Sequence, residues 1–404
     1  MVIEMIKREN YLSRIRGFYE SDLIKILVGI RRCGKSVILE QIIEELKESG
    51  CDDNHIIYIN FEYIEYEELK DYKKLNKYIK NQLLDKNKYY IFLDEIQKVE
   101  NFEEVVNSLR ASINNISIFI TGSNSKLLSQ ELSSVLSGRY VLFNIFPLSY
   151  KEFIELSKKK PKDEETFWDF VKWGGLPNRC QFENENNIKD YLHSVFDSII
   201  LRDVVDRLGL KDTILFNLLL QYIVDTTGRE FSAENVINFL KTEGKSISTE
   251  TLYIYLDALC KALIIRKIYR YDIHGRAILK TLNKYYMTDL GIAQIKNNDF
   301  EINKSFAIEN VVYNELLQRG YDVYIGKTKD GEVDFIATKD NVKEYYQVAY
   351  LLANNDVIER EFGAFKVIDD NYPKYVLSLD KTDFSQKGII HKNIIDWLLE
   401  NNNI

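Results

Sequence analysis

Gly29-Ile30-Arg31-Arg32-Cys33-Gly34-Lys35-Ser36 follows an apolar run, Ile24, Ile26, Leu27 and Val28, and precedes a segment with Ile38, Ile42 and Leu46 at helical spacing. The octet is an unbroken G-x-x-x-x-G-K-S phosphate loop. Its glycines let the backbone bend so that successive N–H groups face an anion, with the helix N-terminus adding its dipole. Lys35 is expected to reach the β- and γ-phosphates of ATP, and the Ser36 hydroxyl to ligate Mg²⁺. Residues Gly29 to Val37 are the expected nucleotide contacts. A plain glycine turn between strand and helix is the competing account, and an octet of this form seldom arises by chance.

A second run, Tyr90-Ile91-Phe92-Leu93, ends in Asp94-Glu95. Apolar residues before a carboxylate pair suit a central parallel strand whose C-terminal tip faces the phosphates. Asp94 is expected at the metal, and Glu95 is expected to polarise an attacking water, which favours hydrolysis over transfer. A third run, Ile116 to Thr121, leads into Gly122-Ser123-Asn124. Ser123 and Asn124 either orient the water and sense the γ-phosphate or simply make a turn. Arg139, before the run Tyr140 to Phe143, reads as an arginine finger, in cis or from a neighbouring subunit, or as a surface ion pair.

With 404 residues and 45% hydrophobic content, two to three domains with formed cores are expected. The net charge of −8 excludes a global basic field, so a nucleic-acid contact would have to be a local patch. Cys33, Cys51, Cys180 and Cys260 are scattered, which argues against zinc and disulfides and for a reducing compartment. Positive potential in the loop should favour a Cys33 thiolate, although a small filler is the simpler role. No secretory core or membrane-spanning run is visible, so a cytoplasmic chain is expected.

Strands alternating with helices from Leu23 to about Asn144 predict a parallel sheet covered on both faces. The expected strands are Ile24–Val28, Ile56–Asn60, Tyr90–Leu93, Ile116–Thr121 and Tyr140–Asn144. Residues 1–145 form the expected ATPase core and 146–205 a helical lid or linker. There Gly174-Gly175-Leu176-Pro177 ends a helix as a lid hinge or a plain turn. Residues 206–295 read as a winged helix: Ser232 and Ser248 cap two helices, and two short strands follow. Between Lys261 and Lys284, seven basic side chains face one acid, Asp272. Arg266, Lys267, Arg270 and Arg276 are thus candidates for DNA phosphates. Glu250 and Asp257 on the preceding helix oppose that reading, and a protein-facing module is the alternative. Residues 300–404 place Glu309 on a helix, with Asp334 and Gln347-Val348-Ala349 on strands. That is the order of a metal-dependent PD-(D/E)xK nuclease core, degenerate because Gln347 replaces an acid and Ala349 the lysine.

Taken together, the chain resembles a family of prokaryotic AAA-type ATPases carrying a C-terminal region of unknown function with a winged helix and a restriction-endonuclease-like fold. The matching words are the Arg31-Arg32 loop, Leu93-Asp94-Glu95-Ile96-Gln97, Thr121-Gly122-Ser123-Asn124-Ser125, Ser137-Gly138-Arg139, Pro147-Leu148-Ser149, Gly174-Gly175-Leu176-Pro177, Tyr285-Tyr286-Met287-Thr288-Asp289-Leu290-Gly291 and Gly331-Glu332-Val333-Asp334-Phe335. The resemblance implies an α/β, AAA-type parallel sheet with a helical lid, ATP and ADP binding and Mg²⁺-dependent hydrolysis, with Ser123, Asn124 and Arg139 at the site. The expected activity is an ATP-driven switch on DNA or a protein partner, in a chain able to form homo-oligomers. An ATP-gated nuclease and a slow-turnover signalling scaffold are the alternatives.

Overall fold

The computed structural model describes residues 5–122, 136, 138–199, 204–205, 212–275, 277–296, 303–328 and 331–401. These divide into two compact units, with the chain passing from one to the other between Phe146 and Pro147.

The first unit opens with α1 (Glu9–Arg16), followed by β1 (Ile24–Val28) and α2 (Lys35–Glu48). It continues through β2 (Ile56–Asn60), α3 (Tyr72–Gln82), β3 (Tyr89–Asp94), α4 (Phe102–Ser112), β4 (Ile116–Gly122) and β5 (Tyr140–Asn144). All five strands are parallel, in the order β2-β3-β4-β1-β5. Every residue of β1, β3 and β4 is buried, because helices cover both faces. That demands apolar residues at consecutive rather than alternate positions. Lys25 breaks the run in β1. Its ammonium is satisfied by Ser117 Oγ at 2.6 Å and Ser21 O at 3.1 Å, and burial pulls its pKa down to about 7. Interposing β4 between β1 and β3 puts Val28 opposite Gly122, and Leu93 opposite Ile120. The tip of β4 therefore lies between the phosphate loop and the acid pair.

In the second unit α5 (Tyr150–Ser157), α6 (Glu164–Trp173) and α7 (Glu185–Ile199) precede α8 (Thr213–Asp225), α9 (Ala233–Thr242) and α10 (Thr249–Lys261). Ser149 opens α5 with a full capping box on Glu152, and Ser232 and Ser248 cap α9 and α10. The strands β6 (Ile265–Asp272) and β7 (Ala277–Met287) lead to α11 (Leu290–Lys296) and α12 (Lys304–Gln318). Then come β8 (Asp322–Lys327), β9 (Glu332–Lys339), β10 (Val342–Val348), α13 (Asn355–Gly363), β11 (Lys374–Ser378), β12 (Ile390–Asn393) and α14 (Ile394–Leu399). Seven strands form one mixed sheet in the order β12-β11-β10-β9-β8-β6-β7.

Two arrangements differ from the expectation. The hairpin β6–β7 is not a free-standing wing, because β6 pairs in parallel with β8 from Arg270↔Ile325 to Asp272↔Lys327. The hairpin and the C-terminal strands thus share one sheet. The helices expected as a lid, α6 and α7, pack on α11 in this second unit. Asp289, just before α11, accepts hydrogen bonds from Gly175 N at 2.7 Å and Gly291 N at 2.9 Å. The Gly174-Gly175 turn is therefore anchored by a residue more than a hundred positions away. Burial raises the Asp289 pKa to about 6.

Candidate functional site

The phosphate loop is shaped by its two glycines. Gly34 adopts φ +99°, a conformation that side chains resist, and directly precedes α2. At Gly29 an added Cβ would lie 2.3 Å from Ile145 O and 2.6 Å from Cys33 Sγ. With a glycine as N-cap and no side-chain cap on α2, the first-turn N–H groups open towards the loop, the arrangement that receives an anion. Lys35 is 4% exposed, donates to Gly29 O at 3.2 Å and Ile30 O at 3.4 Å, and lies 3.6 Å from Glu95 Oε1. Ile30 is buried, Arg31 stands 4.0 Å from Glu62, Arg32 is exposed with φ +64°, and Val37 is half-buried on the first turn of α2. Of the two readings of Cys33, the thiolate is not supported and the small filler is. The side chain is fully buried against Ile145 O at 3.5 Å, and burial raises its pKa, outweighing nearby Lys35 and Arg8.

Asp94 ends β3 fully buried. Its Oδ2 accepts from Asn60 Nδ2 at 2.9 Å and Tyr58 OH at 3.2 Å; the Thr121 hydroxyl donates to Oδ1, and the nearby Ser36 hydroxyl favours the charged carboxylate. Burial raises the Asp94 pKa; the hydrogen bonds oppose the shift and neighbouring Glu95 adds to it. Thr121 Oγ1 also accepts from Glu95 N at 2.9 Å. Glu95 itself sits at φ +55°, a left-handed position that costs a non-glycine residue about 1 kcal/mol. Gln97 Nε2 donates to its carboxylate.

Tyr58, Asn60 and Thr121 were not among the expected site residues. The available signal was a polar residue near the tips of β2 and β4, but pairing those tips with Asp94 requires the strand order. Ser36 and Asp94 are neighbouring hard oxygen donors, beside a second carboxylate whose repulsion a dication would relieve. This donor set fits Mg²⁺.

Ser123 and Asn124 lie outside the described residues. Arg139 is described, and its position excludes a cis finger. Ile24 N donates to Arg139 O at 3.0 Å, and β5 runs parallel to β1 from Ile24↔Tyr140 to Val28↔Asn144. Arg139 therefore sits at the N-terminal edge of the sheet, the full length of β1, about 16 Å, from the loop. An arginine side chain does not bridge that distance.

The basic hairpin also departs from expectation. Arg270 is buried and pairs with Glu230 at 2.8 Å and Glu332 at 3.8 Å, so it does not face a phosphate backbone. Arg266 has its Nε and one terminal nitrogen buried, Lys267 is half-buried over the Tyr269 ring, and Arg276 lies outside the described residues. Lys284, counted with the basic stretch, turns inward: its Nζ lies 2.6 Å from Glu332 Oε1 and 3.5 Å from Glu309 Oε1. Burial lowers its pKa, but Glu309, Glu332 and Asp334 outweigh that and leave it raised. Glu309 and Asp334 are both raised by burial. Asp334 Oδ2 accepts from Val348 N at 2.8 Å, and Gln347 Oε1 accepts from Asp334 N at 3.3 Å. Ala349 is buried in an apolar cluster with Val333, Leu352 and Phe362. The cation of this acid centre thus arrives from β7 rather than from position 349. Among the described residues, no group of three or more His, Cys, Asp and Glu is arranged to hold a metal.

Residues 21–154 match the family described as an AAA domain, and residues 164–300 match a domain of unknown function, DUF8612. An uncharacterized protein of Haemophilus influenzae is 36% identical over 403 residues, covering 98% of this chain and 99% of its own. The uncharacterized protein MJ1544 of Methanocaldococcus jannaschii is 34% identical over 384 residues, covering 91% of this chain and 84% of its own. Among solved structures, Cdc6p from Pyrobaculum aerophilum is similar at a TM-score of 0.32 and 11% identity, over 78% of this chain and 96% of that one. AMPPCP-bound DnaA from Aquifex aeolicus is similar at 0.33 and 13%, over 63% and 89%. Likenesses of that size carry no argument about function. With the phosphate loop, the acid-tipped strand and the full-length relatives agreeing, the chain belongs to the family of these Haemophilus and Methanocaldococcus proteins, with an AAA-type P-loop ATPase domain at its N-terminal end.

Proposed function

We propose that the protein binds ATP with Mg²⁺ at residues 29–37 and hydrolyses it at the Asp94-Glu95 tip, using the cycle to switch conformation on a partner. The observation that carries this reading is the buried acid pair at the tip of β3 facing the phosphate-loop lysine, with Lys35 Nζ 3.6 Å from Glu95 Oε1. The loop N–H groups and Lys35 bind and orient the triphosphate. Ser36 and Asp94 hold Mg²⁺, which when bound neutralises charge on the phosphate oxygens. Glu95 accepts a hydrogen bond from the attacking water and is held by Gln97. Asn60, Tyr58 and Thr121 keep the Asp94 carboxylate in place. Arg139 acts, in this reading, on the site of a second copy. The experiment is Mg²⁺-dependent phosphate release by the purified chain. Activity is expected in the wild type and absent in Lys35→Ala and Glu95→Gln, while Glu95→Gln still binds ATP. Undiminished release from both variants would overturn the reading.

The partner is read as a protein. Tyr253 and Ile254 are about half exposed on α10, beside the acids Glu250 and Asp257, a surface suited to a protein rather than to phosphates. The engagement of Arg270 and Lys284 in ion pairs supports the same choice. ATP turnover measured with DNA across a salt series checks it: no stimulation is expected even at low salt, whereas stimulation that fades steeply with salt would restore the DNA reading.

A further inference from the structure

Arg8 stands at the N-cap of α1, far in sequence from the phosphate loop, and is 2% exposed. Its Nη1 donates to Cys33 O at 3.0 Å, inside the loop, and to Phe146 O at 3.2 Å; its Nη2 also donates to Phe146 O at 3.2 Å. The guanidinium lies 4.7 Å from the centre of the Tyr11 ring, and the Tyr11 hydroxyl accepts from Phe146 N at 3.1 Å. The main-chain N–H of Arg8 donates to Gln41 Oε1 on α2 at 3.1 Å, and Gln41 Nε2 donates to Ile6 O at 2.6 Å. The buried guanidinium therefore ties the loop to the residue at which the chain leaves the first unit, and the main chain of the same residue ties both to α2.

Burying a guanidinium is costly, and well-packed apolar side chains hold segments together at least as well. What the arginine adds is direction, because it bonds main-chain carbonyls whose orientation depends on loop conformation. The loop already lies against the same segment: Cys33 Sγ contacts Ile145 O, and Ile145 N donates to Val28 O at 2.6 Å. We propose that Arg8 is a positioning residue that makes the phosphate loop and Ile145–Phe146 respond as one body, so that nucleotide in the loop is registered at the last residue before Pro147. The proposal rests on the nucleotide reading above.

Hydrogen exchange at the Ile145 and Phe146 amides tests it, in the whole chain with and without a non-hydrolysable ATP analogue and Mg²⁺. Binding is followed separately by fluorescence titration. In the wild type the analogue is expected to slow exchange at both amides about tenfold. Arg8→Met should bind the analogue and lose that nucleotide-dependent slowing, while Arg8→Lys, which still reaches one carbonyl, should recover part of it. Tyr11→Phe removes only the hydroxyl and should reduce the effect at Phe146 alone, which keeps the test available should Arg8→Met fail to fold. A purely structural arginine would alter exchange equally with and without nucleotide, and that result overturns the proposal. So does wild-type protein that binds the analogue with no change at 145–146. Wild-type protein that binds no analogue would sink the nucleotide reading and this proposal together.

Discussion

Asp94 is held by side chains from β2 and β4, and Thr121 contributes twice, donating to the carboxylate and accepting the N–H of Glu95. Thr121→Val keeps the shape and removes both bonds at a buried position. The expected loss of stability is about 1–3 kcal/mol. Phosphate release should fall about tenfold or more with ATP affinity largely kept, because the two acids lose their shared anchor. Thr121→Ser should restore most of both, and denaturant unfolding with steady-state kinetics checks the pair. Cys33 carries a contrasting expectation. A fully buried thiol with a raised pKa should resist alkylation in the native chain at neutral pH and react once unfolded, measured by mass spectrometry.

At the scale of elements, Lys284 on β7 meets Glu309 on α12 and Glu332 on β9, which joins the hairpin to the rest of the sheet. Removing a buried partner leaves uncompensated acids, so Lys284→Met should cost about 3–5 kcal/mol near neutral pH. The cost should shrink in acid, because Glu309 and Asp334 already have raised pKa values and shed their charge there. Unfolding at pH 5 and pH 8 measures the difference. Asp289 makes the mirror prediction. Its folded pKa of about 6 lies above the ordinary carboxylate value of about 3.9, so the native state binds the proton more tightly. Its stabilising contribution is full below about pH 4 and lost as pH rises through 6, a swing of about 3 kcal/mol. Asp289→Asn should remove that part of the pH dependence from the unfolding curve.

For the whole molecule, the sheet of the second unit draws on residues 265 to 393, so a fragment beginning at residue 300 loses β6, β7 and Lys284. Such a fragment should be unfolded or aggregated by circular dichroism and sedimentation, while a fragment beginning at Pro147 retains every strand. Arg139 supplies the molecular-scale expectation for turnover. If it completes a second copy's site, specific activity should rise with protein concentration, and Arg139→Ala should abolish turnover while leaving ATP binding intact.

The nucleotide domain was legible wherever its chemistry is contiguous. The loop and the acid pair are short words whose residue types have no cheaper explanation, and the runs of β1, β3 and β4 stand out because strands buried on both faces are largely apolar. The same locality made the caps at Ser232 and Ser248 readable. What no stretch of sequence contained was the identity of distant neighbours. Strand order decided that Thr121 and Asn60 reach Asp94, that Arg139 sits at the opposite end of β1 from its own loop, and that Lys284 neutralises acids instead of awaiting a phosphate. The physical reason is that local steric preference and hydrophobic period choose each element, whereas the partner of a buried charge or a strand tip is chosen only when the sheet assembles around it.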